Sequence, residues 1–184
     1  MAKFLIDSNV FLELQLGQSR AAECKAFLTA VSRGEVKAAV TDFTIDSVAL
    51  VMESRGSPPA DIRRFFESLK NYKGLSMHGL SLSARIAATK EMEGGRLDYD
   101  DATLVAMMKN LDIDKVVSFD RDLDGVGGIR RLDPVEAIPD EGSSEKKSPD
   151  ISKLRTRLNK KIDSRDVEAA VREAGEEIGS GSNR

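Results

Sequence analysis

The sequence predicts an α/β fold, a central parallel sheet covered by helices on both faces. Three observations lead there: short apolar runs rich in β-formers, helical patterns of ten or more residues between them, and an aspartate closing two of the runs. A carboxylate at the end of a buried strand lies at the sheet edge where open α/β folds bind ligands.

Lys3 to Ile6 is the first strand, ending in Asp7, and the chain then enters a helix at Ser8-Asn9-Val10-Phe11-Leu12. Ala22, Ala26, Phe27, Ala30 and Val31 recur at helical spacing, and Arg33-Gly34 ends that helix before a second strand over Glu35 to Val40. Ile45, Val48, Ala49 and Met52 mark the next helix. Pro58-Pro59 opens another, with Ser57 as its expected cap, whose stripe is Ile62, Phe65, Phe66 and Leu69. Met77-His78-Gly79 reads as loop. Leu82, Ile86 and Ala87 begin a helix stopped by Gly94-Gly95, and Leu104, Val105, Met108 and Leu111 form the stripe of the following one. Lys115 to Phe119 is a third strand and Ile129 to Leu132 a weaker fourth. No internal repeat is present.

After Pro134 the composition changes. Residues 140–150 contain no large apolar side chain and read as an exposed linker, so the globular domain is expected to span residues 1–139. In the tail, residues 151–184, Ile151, Leu154, Leu158 and Ile162 form one amphipathic stripe, and Val167, Val171, Ala174 and Ile178 a second, before a ragged glycine- and serine-rich end. Its first stretch is basic, with Lys153, Arg155, Arg157, Lys160, Lys161 and Arg165 against Asp163 alone.

The 184 residues are 40% hydrophobic and 32% charged, which fits one domain with a real core and argues against disorder throughout. There is no apolar stretch of about 18 residues and no basic-then-apolar leader, so a cytoplasmic protein without a membrane span is expected. Cys24 is the single cysteine and His78 the single histidine, which excludes an internal disulfide or a thiolate metal cluster. Cys24 fits core packing. Chemistry is thereby left to acids, hydroxyls and amides. The net charge of −3 does not itself announce nucleic-acid binding.

Asp7 and Asp120 each follow a strand, and parallel neighbouring strands would bring both carboxylates to one edge. Asp101 lies three, four, seven and ten residues before Leu104, Val105, Met108 and Leu111, on the buried stripe. Asp98 fits an N-cap, and Asp100 and Asp101 also suit the positive end of the helix dipole, so capping alone is an alternative for this segment. Asp46 lies one turn into the helix after the second strand, where an exposed helix aspartate is the plain alternative.

Residues and order together resemble the PIN-domain ribonuclease family, VapC-like. Leu5-Ile6-Asp7-Ser8-Asn9-Val10-Phe11 is similar to its opening strand and Asp-Thr/Ser-Asn-Val motif, and Thr41 followed five residues on by Asp46 is similar to its second segment. Leu97 to Ala106, with Asp101-Ala102, resembles the central Asp-Ala segment, and Val117-Ser118-Phe119-Asp120-Arg121-Asp122-Leu123 the final strand and acid. The resemblance spans residues 3–139 and implies a three-layer α/β/α domain, here with a C-terminal helical extension.

It also implies a catalytic set of Asp7, Asp46, Asp101 and Asp120, metal contacts from Asp7, Asp101 and Asp120 with Asp98 and Asp122 as further members, and Asn9 and Ser118 orienting the acids from behind. The family has glutamate where this chain has Asp46; one methylene shorter, the aspartate favours contact through water. Four carboxylates at close range need compensating positive charge, and hard oxygen ligands select Mg²⁺ or Mn²⁺. A metal-activated water is the expected nucleophile, hydrolysing RNA and leaving a 5′-phosphate as the resemblance implies. Basic residues for the rim are Arg55, Arg63, Arg64, Arg96, Lys109 and Arg121.

The expected function is a Mg²⁺- or Mn²⁺-dependent endoribonuclease of toxin or RNA-processing type, assembled as a homodimer. Its partners are RNA and either a separate antitoxin or the chain's own basic segment 151–165, which would restrain the site; a packing or RNA-binding helix pair is the alternative for that segment. A second reading is a catalytically silent PIN module that binds RNA or protein. A third, a haloacid-dehalogenase-like phosphohydrolase, requires a second aspartate two residues after the first, where this chain has Asn9.

Overall fold

The computed structural model describes residues 2–139. The linker expected at 140–150 and the helices expected within 151–184 lie outside the described residues.

Five strands form one wholly parallel sheet. They are β1 (Phe4–Ile6), β2 (Ala38–Thr41), β3 (Leu75–His78), β4 (Lys115–Val117) and β5 (Arg130–Leu132), in the spatial order β3-β2-β1-β4-β5. Six helices connect them: α1 (Ser8–Gln15), α2 (Ala21–Arg33), α3 (Asp42–Ser54), α4 (Pro59–Leu69), α5 (Leu82–Met92) and α6 (Tyr99–Leu111). Two 3-10 turns, Arg121–Leu123 and Pro134–Ala137, flank β5. β1, β2 and β4 are apolar on both faces because each face has its own core, as a doubly covered parallel sheet requires. Ile6, Ala38, Val40 and Val117 pack with α1 to α4 on one side, and Leu5, Ala39 and Val116 pack with α5 and α6 on the other. Cys24 is buried in the first of these cores.

The register positions the functional edge. Leu5 pairs with Val116 and Ile6 with Val117, and the Asp7 amide donates to the Val117 carbonyl at 3.1 Å, so β1 and β4 deliver their following residues side by side. α6 closes the same edge. Every residue from Asp101 to Met108 is buried, so this helix has no solvent-facing stripe along that stretch.

Several expectations are corrected. Leu75 to His78 is a strand, and His78, expected in a loop, is its last residue, paired with Thr41 and with its ring Nε2 3.1 Å from the Ser76 hydroxyl. β3 lacks a long apolar run because it lies at the sheet's edge, and pairing with β2 holds it there. Ser57 does not cap α4; Pro58 occupies the cap and Pro59 the first turn, where a missing N–H costs nothing. On α4 the buried residues are Phe65 and Leu69, while Phe66 is exposed. On α5 the expected stripe faces outward: Leu82 is 74% and Ile86 55% exposed, and the small Ala84 and Ala88 face the core that α5 shares with α6. Among the described residues no helix is long and apolar enough to cross a membrane.

One close approach fixes the start of β3. A Cβ at Gly74 would lie 2.0 Å from the Val36 carbonyl oxygen and 2.6 Å from that of Val31. The Gly74 amide itself donates to the Val31 carbonyl at 2.9 Å, so the loop cannot simply back away. Gly74→Ala is expected to destabilise the domain by more than about 2 kcal/mol, read as a lower urea midpoint at unchanged slope. An unchanged midpoint would show that this approach is not needed.

Candidate active site

Asp7 is held on both carboxylate oxygens by neighbouring side chains. It follows β1 as the N-cap residue of α1 but makes no side-chain cap, so both carboxylate oxygens are free for other donors. Oδ2 accepts from Ser118 Oγ at 2.5 Å and from Asn9 Nδ2 at 2.6 Å, and Oδ1 accepts from Ser8 Oγ at 3.2 Å. Asn9 Nδ2 also donates to Ser118 Oγ at 3.0 Å, and the Phe119 amide donates to Asn9 Oδ1 at 3.3 Å, which joins the start of α1 to the end of β4. Asn9 and Ser118 thus stand where they orient Asp7. Burial pushes the Asp7 carboxyl above the usual range, the hydrogen bonds from Ser118 and Ser8 oppose that, and the charge of Asp120 adds to it.

The segment after β4 supplies two more acids. Ser118 is fully buried, and its Oγ accepts from the Asp120 amide at 2.9 Å while Asp120 Oδ1 accepts from the Asp122 amide at 2.9 Å. This chain of bonds fixes the turn that presents Asp120 and Asp122 to solvent at the sheet edge. From α6, Asp98 caps the helix by accepting from the Asp101 amide at 3.0 Å, as its sequence position predicts, which turns Asp101 inward.

One carboxylate oxygen each from Asp101, Asp120 and Asp122 lies within 4.8 Å of the others. Burial and the crowding of acids both raise a carboxyl. Asp101 is pushed up to about 7, first by burial and then by the charges of Asp120, Asp98, Asp7 and Asp100. Asp100 is pushed up to about 6 by burial and by Asp7, Asp98 and Asp120. Among the described residues, every charge that shifts Asp101 and Asp100 is negative, a setting that suits a cation.

The sequence-predicted residues therefore divide. The charges of Asp120, Asp98 and Asp7 all bear on Asp101, and Asp122 joins Asp101 and Asp120 in the close group of oxygens. Asp46 stands exposed on α3 and is not among the charges that shift Asp7, Asp100 or Asp101. Its motif partner Thr41 caps α3, accepting from the Thr44 amide at 2.9 Å. In the sequence Asp100 reads only as suited to the helix dipole; the run Ala102 to Met108, apolar but for Thr103, is the signal that α6 is enclosed and that an acid beside Asp101 is partly enclosed with it. The basic residues expected at the rim, Arg55, Arg63, Arg64, Arg96, Lys109 and Arg121, are all exposed; Lys109 is paired with Glu91 at 2.7 Å and Arg64 with Asp61.

Comparison with known proteins bears on the family and the fold. A sequence model of the PIN domain matches residues 4–129. Among solved structures, VapC20 of Mycobacterium tuberculosis, described as a sarcin-ricin loop cleaving toxin, superposes with a TM-score of 0.56 at 16% identity, over 67% of this chain and 95% of that one. A protein of a toxin–antitoxin complex from Klebsiella pneumoniae superposes with a TM-score of 0.53 at 17% identity, over 71% of this chain and 97% of that one. At these identities the likeness is one of fold. Among curated proteins none matches.

Proposed function

We propose, from the premise that the chain belongs to the PIN domain family, that it is a metal-dependent endoribonuclease hydrolysing RNA phosphodiester bonds, of toxin or RNA-processing type. The observation that carries this reading is the acid cluster, above all Asp101, pushed up to about 7 first by burial and then by its acidic neighbours. Its donors are all carboxylate oxygens, with no histidine or cysteine among them, which suits Mg²⁺ or Mn²⁺. Asp101, Asp120 and Asp122 would hold the ion, with Asp7 beside them and Asp98 at the rim. When bound, the ion supplies activation of the attacking water and charge compensation at the scissile phosphate.

The chain's own residues do the positioning. Ser118 and Asn9 hold Asp7 by Oδ2, leaving its Oδ1, bonded only to Ser8 at 3.2 Å, as the more available oxygen. Asp101 enters from a buried helix and Asp120 from a hydrogen-bonded turn, so the acids need little reorganisation to serve together. The exposed Arg96 and Arg121 flank the two acidic segments in sequence and supply cations for a polyanion. Asp46, exposed on α3, acts through water or on the substrate side. That same placement favours the second reading, a silent module that binds RNA without cutting it.

The partners we assign are RNA, a second copy of the chain, and an antitoxin or the basic segment 151–165 acting as a built-in restraint. The toxin names carried by the two structural neighbours support the antitoxin, and the exposed Leu82 and Ile86 support a self-association face. The deciding assay is cleavage of a labelled RNA with Mg²⁺ or Mn²⁺. Cleavage is expected to stop on chelation and to rise when residues 140–184 are deleted. Binding without cleavage would select the silent module, and equal cleavage by the shortened chain would remove the restraint.

A further inference from the structure

We infer that Arg131, remote from the reacting atoms, is a positioning residue that braces the acid-bearing turn of the proposed metal site. The inference rests on the metal-site reading and adds a residue that no motif contains.

Arg131 is the middle residue of β5, and its side chain is only 16% exposed. Its guanidinium reaches both ends of the segment that carries Asp120 and Asp122. At the near end, Nη1 donates to the Ser118 carbonyl at 2.9 Å; at the far end, Nε donates to Asp124 Oδ1 at 2.8 Å. Nη1 also donates to Asp133 Oδ1 at 2.7 Å, which fixes the plane of the fork. Between these ends Asp120 and Asp122 are exposed and have no packing of their own. Leu123 is their one buried neighbour within the turn.

A second arginine completes the brace. Arg20 donates to Asp133 Oδ2 at 2.8 Å and to Glu23 at 2.7 Å, and its guanidinium lies 3.8 Å from the centre of the Phe119 ring. Phe119 is the residue between Ser118, which holds Asp7, and Asp120. Asp133 thus joins two cations that grip Ser118 and Phe119, and Arg131 alone extends that grip to Asp124. Partly exposed ion pairs add little to global stability, so the effect of this network should fall on the geometry of the turn. A lysine has one point of charge where three oxygens must be met, and it cannot substitute.

The test measures Mn²⁺ binding itself, by electron paramagnetic resonance and by calorimetry at pH 8, on the full chain, Arg131→Gln, Arg131→Lys, Asp124→Asn and, as a control, Glu67→Gln. Mn²⁺ affinity is expected to fall about tenfold in Arg131→Gln and Asp124→Asn, to fall also in Arg131→Lys, and to hold in Glu67→Gln, an exposed position on α4 outside the brace. Asp124→Asn decides the matter if Arg131→Gln does not fold, because it keeps the Ser118 and Asp133 contacts. Wild-type affinity in folded Arg131→Gln or in Asp124→Asn overturns the brace alone. No Mn²⁺ binding by the unaltered chain overturns the metal-site reading, and the brace with it.

Discussion

Replacing Asp7 by asparagine is expected to end RNA cleavage while leaving the fold in place. The surroundings allow the exchange. An amide oxygen can take the place of Oδ2 and accept from Ser118 and Asn9 as the carboxylate does. The amide nitrogen then takes the place of Oδ1 and faces Ser8 Oγ, a hydroxyl that can turn from donor to acceptor. Burial works against the charge of Asp7, so its loss removes a desolvation cost from the folded state. The melting temperature of the metal-free Asp7→Asn protein should equal or exceed that of the parent. Catalysis fares differently, because a neutral amide takes one negative charge from the acids that would hold the ion. Loss of more than about 100-fold is expected, beyond the 10- to 100-fold typical of residues that only orient a ligand. Cleavage within a few-fold of the parent, by a protein whose melting curve shows it folded, would remove Asp7 from the site.

Why these acids were visible in the sequence and others were not has a physical basis. Asp7 and Asp120 end runs that are apolar on both faces, and parallel pairing of β1 with β4 is the one step needed to bring them to the same edge. Asp101 was visible through its offsets to Leu104, Val105 and Met108. Asp100 was not, since a stripe argument assumes a solvent-facing side that this stretch of α6 does not have. β3 was missed because its stability comes from β2, a partner distant in sequence. Leu82 and Ile86 misled for the opposite reason: the core-facing side of α5 is built from alanines, which allow α5 and α6 to approach, and periodicity gives alanine little weight. Arg131 carried no signal at all. A lone arginine in a weak strand looks like surface charge until the fold places Ser118, Asp124 and Asp133 around it.

The metal-free protein should lose stability as the pH rises from 4 to 8, and a divalent cation should restore it. Asp101 and Asp100 sit at about 7 and about 6 in the fold, against an ordinary value of 3.8. A carboxyl raised in this way favours folding while it is protonated. Its contribution is complete below its unfolded value and disappears as the pH climbs through its folded value, because the folded state then binds more protons than the unfolded one. Asp7, also raised by burial, adds in the same direction, and Asp133 and Cys24 act outside this window. Asp133, lowered by Arg20 and Arg131 despite partial burial, loses its contribution only below about pH 4. Cys24, pushed up to about 12 by burial, acts above pH 8. Mg²⁺ or Mn²⁺ competes with these protons for the same oxygens, so binding should release protons near pH 6.5 and strengthen toward pH 8. At a hundredfold excess over its dissociation constant, the ion adds about 2.7 kcal/mol. That corresponds to a rise on the order of 5–10 °C for a chain of this size. Melting curves from pH 5 to 8, with chelator and with Mn²⁺, should therefore diverge as the pH rises, and Asp101→Asn should flatten the chelated series. Parallel curves, or an unflattened Asp101→Asn series, would mean that the acids at this sheet edge do not share a cation-seeking site.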